Sequence, residues 1–293
     1  MTLTNRYQFI KSRVKLFIVG NFEKSIISIE SRRLKKILAN NDSIVIVHTI
    51  GKVGSSSVFS SLQNSPFGIS LFHFHALEPT RIRKQEHYYR SSLKKSIPYH
   101  LIKSKIVSEL LDNYNGEIFI ISLIREPISR EISSVFQDSF NFIDSIHLKD
   151  NGIEHILIDK VNALSIELPE VEWFEREIKL MFGIDVYKQV FDLSKGYNIY
   201  TNGKIKMLLL RIEDLDEKFN ESCQSLFSTD YNFLLKKDNI SEDKFYDADY
   251  RSIINNFRIP NSEIDNILNS VFIDHFYRDQ RNQIRERWSK NDL

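Results

Sequence analysis

The chain has 293 residues, of which 42% are hydrophobic, and its 40 lysines and arginines almost balance its 39 aspartates and glutamates. This length can bury a substantial core, and the near-neutral charge gives no general reason to expect a nucleic acid as partner. The single cysteine excludes an intramolecular disulfide framework. The sequence shows neither a secretory apolar region nor an apolar stretch long enough to cross a bilayer, so we expect a cytoplasmic protein.

Residues 1–43 form a basic N-terminal segment that we expect to be helical. Within residues 1–40, nine basic side chains stand against two acidic ones and alternate with apolar residues. This pattern is typical of a surface helix packed on a core. It also fits a basic amphipathic helix at an anionic membrane surface, so peripheral contact with the inner membrane through residues 1–40 is the alternative.

Residues 44–240 alternate between predicted strands and helices, which indicates an α/β core. We expect strands near 44–48, 69–75, 117–124 and 205–210, and helices near 55–64, 101–113, 127–138, 152–167, 170–181 and 214–227. Such alternation predicts a parallel sheet flanked by helices. The dipeptide Asn202-Gly203 predicts a hairpin that adds an antiparallel strand.

The segment that follows the first strand predicts an anion site. The strand leads into Gly51-Lys52-Val53-Gly54-Ser55-Ser56-Ser57, which has the composition of a tight glycine turn and a hydroxyl-rich helix start. Backbone N–H groups at a helix N-terminus bind anions, and a nearby lysine reinforces the site. Lys52 precedes Gly54, whereas a Walker loop places its lysine after the last glycine. We therefore expect a P-loop-like turn that differs from the loop of nucleoside-triphosphate enzymes.

A second strand-to-helix turn follows residues 117–124. Arg125 would stand at the end of this strand, and Ser133 follows eight positions later in the predicted helix. A guanidinium fork and a hydroxyl could hold a second phosphate. A surface ion pair of Arg125 with Glu126 or Asp138 is the alternative. Two phosphate sites at the carboxyl ends of parallel strands predict a nucleotide that carries phosphates at two positions.

The C-terminal segment, residues 241–293, predicts a helical extension packed on the same domain. Two or three helices are expected, with a break near Pro260-Asn261-Ser262. The aromatic side chains of this segment would either pack in the core or close over a ligand.

These motifs resemble the sulfotransferases that use 3′-phosphoadenosine 5′-phosphosulfate (PAPS). The turn at residues 51–57 resembles the 5′-phosphosulfate loop of that family, and Arg125 with Ser133 resembles its 3′-phosphate motif. Residues 207–215 are similar to a strand with an R-x-E-D-L segment found in many members. Residues 173–197 resemble the bacterial sulfotransferase-like group of capsular polysaccharide synthesis proteins.

The resemblance implies a sulfotransferase fold and a role for each motif. It implies that PAPS is the cofactor, that Gly51, Lys52, Val53, Gly54, Ser55, Ser56 and Ser57 hold its phosphosulfate, and that Arg125 and Ser133 hold its 3′-phosphate. The acceptor would be a carbohydrate hydroxyl of a capsular or other surface glycan, or of a glycolipid, and the chemistry requires no metal.

Transfer to a hydroxyl also needs a base. On the strand near 69–75, alternation places His73 and His75 on one face, and histidine titrates near neutrality. We expect His75, nearer the strand end, to be the base, with His73 second. Glu78 is a rival, because several carbohydrate sulfotransferases use a glutamate from this region.

Two other functions fit part of the pattern. One is a nucleotide kinase with an irregular phosphate loop. The other is a non-catalytic nucleotide-binding protein of polysaccharide assembly.

Overall fold

A computed structural model describes residues 22–67, 70–142, 152–238 and 247–290. Together they form a mixed α/β fold around a five-stranded sheet, as the sequence predicted. The strands are β1 (Ser43–His48), β2 (Leu71–Phe74), β3 (Glu117–Ile124), β4 (Tyr197–Asn202) and β5 (Ile205–Arg211). Their order is β2-β1-β3-β5-β4, and only β4 runs antiparallel to its neighbour in this sheet.

Strands β1, β3 and β5 are long, largely apolar runs of the sequence. In β1, Ile44, Val45, Ile46 and Val47 are each at most 3% exposed, and β3 and β5 are buried almost throughout. Continuous burial of this kind is expected for parallel strands that are covered by helices on both faces. The predicted hairpin is confirmed by the antiparallel pairing of β4 with β5.

The helices flank this sheet and continue beyond it. They are α1 (22–39), α2 (Ser55–Leu62), α3 (Pro79–His87), α4 (Tyr99–Leu111), α5 (Pro127–Phe142), α6 (Gly152–Ile166), α7 (Pro169–Trp173), α8 (Leu215–Phe227), α9 (Asp247–Asn256), α10 (Asn261–Leu268), α11 (Val271–Phe276) and α12 (Arg281–Trp288). Helix α7 continues directly into a π-helical segment, Phe174–Leu180. The sequence did not predict α3, because Ile82 is the only buried residue of this polar helix and so no apolar periodicity marks it.

The C-terminal helices pack against the α/β core. Trp288 is fully buried and donates from Nε1 to Glu126 Oε2 at 3.0 Å. Phe272, Phe276 and Tyr277 are also fully buried. Of the two roles considered for the aromatic side chains of this segment, these four therefore have the packing role.

The N-terminal segment is described only from residue 22. Helix α1 buries Leu34 and Leu38 and leaves basic side chains exposed, including Arg32, Arg33 and Lys36. Residues 1–21, which carry the rest of the basic pattern, lie outside the described part of the chain. None of the helices in the described ranges has the length and hydropathy needed to cross a membrane.

Sheet order determines where a ligand can bind. Strand β1 pairs with β2 on one side and with β3 on the other, so the chain reverses its direction of travel across the sheet at β1. In open α/β sheets, ligands bind beside the carboxyl ends of the strands at such a reversal. The turns after β1 and β3, together with the end of β2, meet at this edge.

Candidate functional site

The turn after β1 has an unusual backbone. Lys52 and Gly54 both adopt positive φ angles, 71° and 78°. A positive φ is unfavourable for lysine, and strain of this kind is concentrated at functional sites. Gly54 is required sterically as well, since a Cβ atom there would lie 2.7 Å from Ile212 Cδ1. Between them, Val53 is fully buried and anchors the turn in the core.

The N-terminus of α2 is open. Its N-cap residue is Gly54, no side chain caps it, and its first turn contains no acidic residue. Within the described residues, the N–H groups of Ser55 and Ser56 have no hydrogen-bond acceptor. Unsatisfied N–H groups and the helix dipole are the features that favour an anion at a helix end, so the anion site predicted at this turn stays a prediction that the geometry permits.

Ser57 serves a different purpose from the predicted one. Its Oγ accepts from the Asp238 N–H at 3.0 Å and donates to the Asp238 carbonyl oxygen at 3.1 Å. Ser60 Oγ donates to Asp238 Oδ2 at 2.6 Å, and the Lys236 N–H donates to Ser61 Oγ at 2.7 Å. These serines bind the extended segment 231–238 to α2, so the hydroxyl of Ser57 is occupied within the fold.

Arg125 links the two predicted phosphate sites. Its Nη1 donates to Ser133 Oγ at 2.8 Å and to the carbonyl oxygen of Lys52 at 3.2 Å. Its Nη2 donates to the hydroxyl of Tyr250 at 3.3 Å. The turn after β3 therefore touches the turn after β1, and the pair predicted from eight-residue spacing is in contact.

Arg125 has no carboxylate partner in the described part of the chain. Its hydrogen-bond partners there are a carbonyl oxygen and two hydroxyls. The predicted alternative of an ion pair with Glu126 is wrong, and the side chain of Asp138 lies outside the described residues. An arginine held by neutral groups is suited to bind an anion.

Glu126 does not pair with Arg125 because its carboxylate is engaged by other donors. Its carboxylate accepts from the N–H groups of Ile128 and Ser129, from the Ser129 hydroxyl and from the Trp288 indole. The carboxylate of Glu126 thus closes the N-terminus of α5. An anion at this turn would be held by side chains, not by the helix end.

The two histidines of the β2 segment lie beside the first turn. Strand β2 pairs with β1, with His73 opposite Val47, and the two imidazole rings are 4.8 Å apart. Phe72 and Phe74 are buried on the other face, so the predicted alternation is confirmed. His73 Nε2 is 2.9 Å from Ser55 Oγ at the start of α2. Burial and the charges of neighbouring His75, His48 and Lys103 lower the pKa of His73 to about 4.

His75 has the tautomer that a base requires. Its Nδ1 lies 2.9 Å from the Thr49 carbonyl oxygen, which can only accept, so Nδ1 carries the proton and Nε2 keeps its lone pair. His75 is exposed, yet the surrounding protein lowers its pKa by desolvation. The hydrogen bond to Thr49 raises this pKa, and the charges of His48, Lys52 and Arg81 lower it.

Glu78 is engaged in the fold. Its carboxylate caps α3 by accepting from the N–H groups of Thr80 and Arg81 at 2.8 and 2.7 Å. Burial raises the pKa of Glu78, but the hydrogen bonds from Thr80 and Arg81 outweigh it and the net shift is downward. A stabilised carboxylate is a weaker base, and both oxygens of Glu78 are engaged at the start of α3.

A buried carboxylate fixes the ends of β1 and β2. Glu177, on the π-helical segment after α7, is fully buried and accepts from the N–H groups of Leu77 and Glu78. It also contacts His48 Nε2 at 3.1 Å, and His48 Nδ1 lies 3.2 Å from the Phe74 carbonyl oxygen. Both ring nitrogens of His48 therefore face acceptors, which gives His48 a structural role.

The R-x-E-D-L segment is structural as well. Arg211 is 2% exposed, donates to Asp214 at 2.5 Å and pairs with Asp279 at 2.9 Å. Glu213 accepts from the Glu126 N–H and the Tyr277 hydroxyl, and burial raises its pKa. This network joins β5 to the C-terminal helices.

Sequence reasoning missed Tyr250. This residue lies on α9, and its hydroxyl is 2.9 Å from Ser133 Oγ although 117 positions separate the two residues. No spacing or motif marks such a contact. No group of three or more histidine, cysteine, aspartate or glutamate side chains is arranged as a metal site within the ranges that the structure describes.

Comparison with known families gives one finding. Residues 149–278 match the model of a family described as "putative capsular polysaccharide synthesis protein". The match includes β4 and β5, the strand pair next to β3, and ends before α12; it does not include the turns after β1 and β3. No match was found among curated proteins or among solved structures. Over less than half of its length, the chain is similar to proteins of capsular polysaccharide synthesis.

Proposed function

We propose that the protein is a PAPS-dependent sulfotransferase that transfers a sulfuryl group to a carbohydrate hydroxyl. The observation that carries the proposal is the position of Arg125. It contacts Lys52 in the first turn and Ser133 on α5, which follows the second turn. Among the described residues, Arg125 has no carboxylate partner. Two adjacent anion sites suit a nucleotide with separate 3′- and 5′-phosphates.

The first site has the properties needed to hold the phosphosulfate. The open N–H groups of Ser55 and Ser56 and the dipole of α2 attract the 5′-anion, and the ammonium of Lys52 adds a mobile positive charge. Such donors, fixed before reaction, would stabilise charge that develops on the leaving phosphate. PAPS, when bound, would supply the activated sulfuryl group.

The second site would hold the 3′-phosphate. The guanidinium of Arg125 and the hydroxyl of Ser133 already lie 2.8 Å apart, so both can reach one phosphate. A guanidinium is well matched to phosphate geometry because it offers several donors in one plane.

His75 is the preferred base in this proposal. Its Nδ1–H is oriented by Thr49, and its Nε2 is free to accept the proton of an acceptor hydroxyl. The positive charge of Lys52 contributes to the lowered pKa of His75. His73 is the alternative, and its contact with Ser55 places it nearer the helix end.

The acceptor class rests on the family match. The match to a family described by capsular polysaccharide synthesis supports a capsular or other surface glycan, or a glycolipid, as acceptor. Contact of residues 1–40 with the inner membrane would bring the protein to such an acceptor, and the exposed basic side chains of α1 are compatible with it.

The decisive test is transfer of radiolabelled sulfate from PAPS to a panel of capsular glycans and glycolipids. We expect labelled product from the wild-type protein. The His75→Ala variant should lose most transfer but still bind adenosine 3′,5′-bisphosphate. His87→Ala, at an exposed histidine on α3, is the matched control. Retained transfer in His75→Ala would move the base to His73 or Glu78.

Thermal unfolding separates the competing functions. Stabilisation by adenosine 3′,5′-bisphosphate without magnesium, and none by ATP with magnesium, supports the sulfotransferase over the kinase. Binding of the bisphosphate with no transfer to any acceptor would favour a non-catalytic nucleotide-binding protein of polysaccharide assembly.

A further inference from the structure

We propose that Tyr250 is a third donor of the 3′-phosphate site and makes the protein selective for nucleotides that carry this phosphate. This inference rests on the proposed function and adds a residue from outside both motifs. Tyr250 lies on α9, far along the chain from Arg125 and Ser133, and nothing in the sequence pattern assigns it a role.

The geometry brings three donors to one place. The Tyr250 hydroxyl is 2.9 Å from Ser133 Oγ and 3.3 Å from Arg125 Nη2, and Ser133 Oγ is 2.8 Å from Arg125 Nη1. Each of these groups can donate to an anion, and the two hydroxyls can turn their protons towards it. A phosphate monoester offers three terminal oxygens, one for each donor.

Charge in this cluster also favours an anion over a purely structural role. The three side chains carry one positive charge, and no carboxylate among the described residues contacts any of them. A cluster that only fixed α9 to α5 would not need a guanidinium. Hydrogen bonds between a charged and a neutral partner become stronger when an anion replaces the neutral acceptor.

Packing holds the Tyr250 hydroxyl in position. Its ring meets Phe136 of α5 edge-on, with ring centroids 5.3 Å apart at 88°. Phe136 is fully buried, so this contact holds the Tyr250 ring against the core. A tyrosine held in this way loses little conformational freedom when its hydroxyl binds a ligand.

The experiment compares two ligands and two variants. Calorimetric titration with adenosine 3′,5′-bisphosphate and with adenosine 5′-monophosphate isolates the 3′-phosphate. Tyr250→Phe removes the hydroxyl but keeps the ring on Phe136. Tyr231→Phe is the matched control, because this half-exposed tyrosine lies in the segment bound to α2 and its described contacts do not include Arg125 or Ser133.

We expect Tyr250→Phe to weaken binding of the bisphosphate by about tenfold to a hundredfold, the range for one hydrogen bond to a charged group. Binding of the monophosphate should not change, and Tyr231→Phe should bind both ligands as the wild type does. Thermal unfolding of the unliganded variants checks that the ring contact is preserved.

Two results would overturn the inference while leaving the proposed function intact. Unchanged bisphosphate affinity in Tyr250→Phe would show that the hydroxyl only packs against α5. Tighter binding would show that Tyr250 blocks the site and must leave it. Failure of the wild-type protein to bind the bisphosphate at all would overturn the proposed function, and this inference with it.

Discussion

The turns after β1 and β3 have similar positions in the fold, but they offer different groups to an anion. Both lead from a buried strand into a helix and include a basic residue, Lys52 or Arg125. At the first turn, the helix end is uncapped and its backbone N–H groups are open. At the second, Glu126 occupies the helix end and leaves only side chains to bind an anion.

In the proposed function, this difference would assign stabilisation of developing charge to the first turn and recognition of a fixed phosphate to the second. Backbone N–H groups and a helix dipole are rigid and add no side-chain entropy cost, which suits a site where charge develops during a reaction. A planar guanidinium with hydroxyls distinguishes ligands by shape, which suits recognition of a fixed phosphate. We therefore expect the first turn to govern turnover and the second to govern affinity.

The largest effect is expected for Lys52→Ala. Loss of one preorganised charge at a transition state typically lowers kcat by about a hundredfold or more. The affinity for adenosine 3′,5′-bisphosphate should fall much less, since the second site is intact. Initial rates of sulfate transfer and calorimetry would measure the two quantities.

Lys195→Ala is the control for this variant. Lys195 lies in a loop with its side chain 59% exposed, so its removal should leave both rate and affinity unchanged. If Lys52→Ala lowered affinity and rate in equal proportion, the first turn would be a binding site only and the division of tasks would fail.

The next effect is expected for Arg125→Ala. Removing a guanidinium that binds phosphate should weaken the bisphosphate by about tenfold to a hundredfold, by the usual strength of charge-assisted hydrogen bonds. At saturating PAPS, kcat should stay near the wild-type value. Arg83→Ala on the exposed face of α3 is the matched variant, and a large fall in kcat for Arg125→Ala would contradict the comparison.

Much of this arrangement was predictable because its signals are local. The continuous apolar runs of β1, β3 and β5 predict the sheet that the structure shows, and the glycine-serine composition predicts the tight turn and the start of α2. The position of Arg125 follows from the end of β3. These features depend on residues that are close together in the sequence, so the sequence pattern predicts them.

The remaining features depend on contacts between distant residues. Ser57 has the right type for an anion loop, but Asp238, 181 positions away, engages its hydroxyl. Tyr250 contacts Ser133 across 117 positions, and Glu177 contacts His48 across 129. A tyrosine or glutamate on a helix carries no local sign of such a partner.

A third prediction tests the backbone of the first turn. Gly54→Ala should lower the free energy of unfolding by about 1–3 kcal/mol, because alanine is strained at positive φ and its Cβ would meet Ile212. Gly51→Ala should cost less than about 0.5 kcal/mol, since a Cβ there has no atom within 4 Å. Urea unfolding of both variants measures the difference, and equal costs would show that the turn tolerates a side chain at either glycine.

The smallest expected effect is a pH dependence of folding stability. It concerns the first turn alone, because His73 contacts Ser55 at the start of α2. Folding lowers the pKa of His73 from 6.5 to about 4, so the unfolded chain binds more protons between these values. Stability from this group is therefore complete above pH 6.5 and declines as the pH falls towards 4. We expect the wild type to lose on the order of 1 kcal/mol of stability between pH 7 and pH 5 through this group, allowing for its partial exposure.

His73→Gln isolates the contribution of this histidine from those of the carboxylates. Glu78 and Glu177, whose pKa values are lowered, lose their contributions only below pH 4.5. The raised pKa of Glu213 lets this carboxylate titrate above pH 4.5, but it does so in the variant as in the wild type, so the difference between the two curves from pH 4.5 to 6.5 reports on His73. In urea unfolding, His73→Gln should show a weaker pH dependence across this interval than the wild type. The exposed His87→Gln should follow the wild type. Identical curves for all three proteins would mean that His73 is solvated in the folded state.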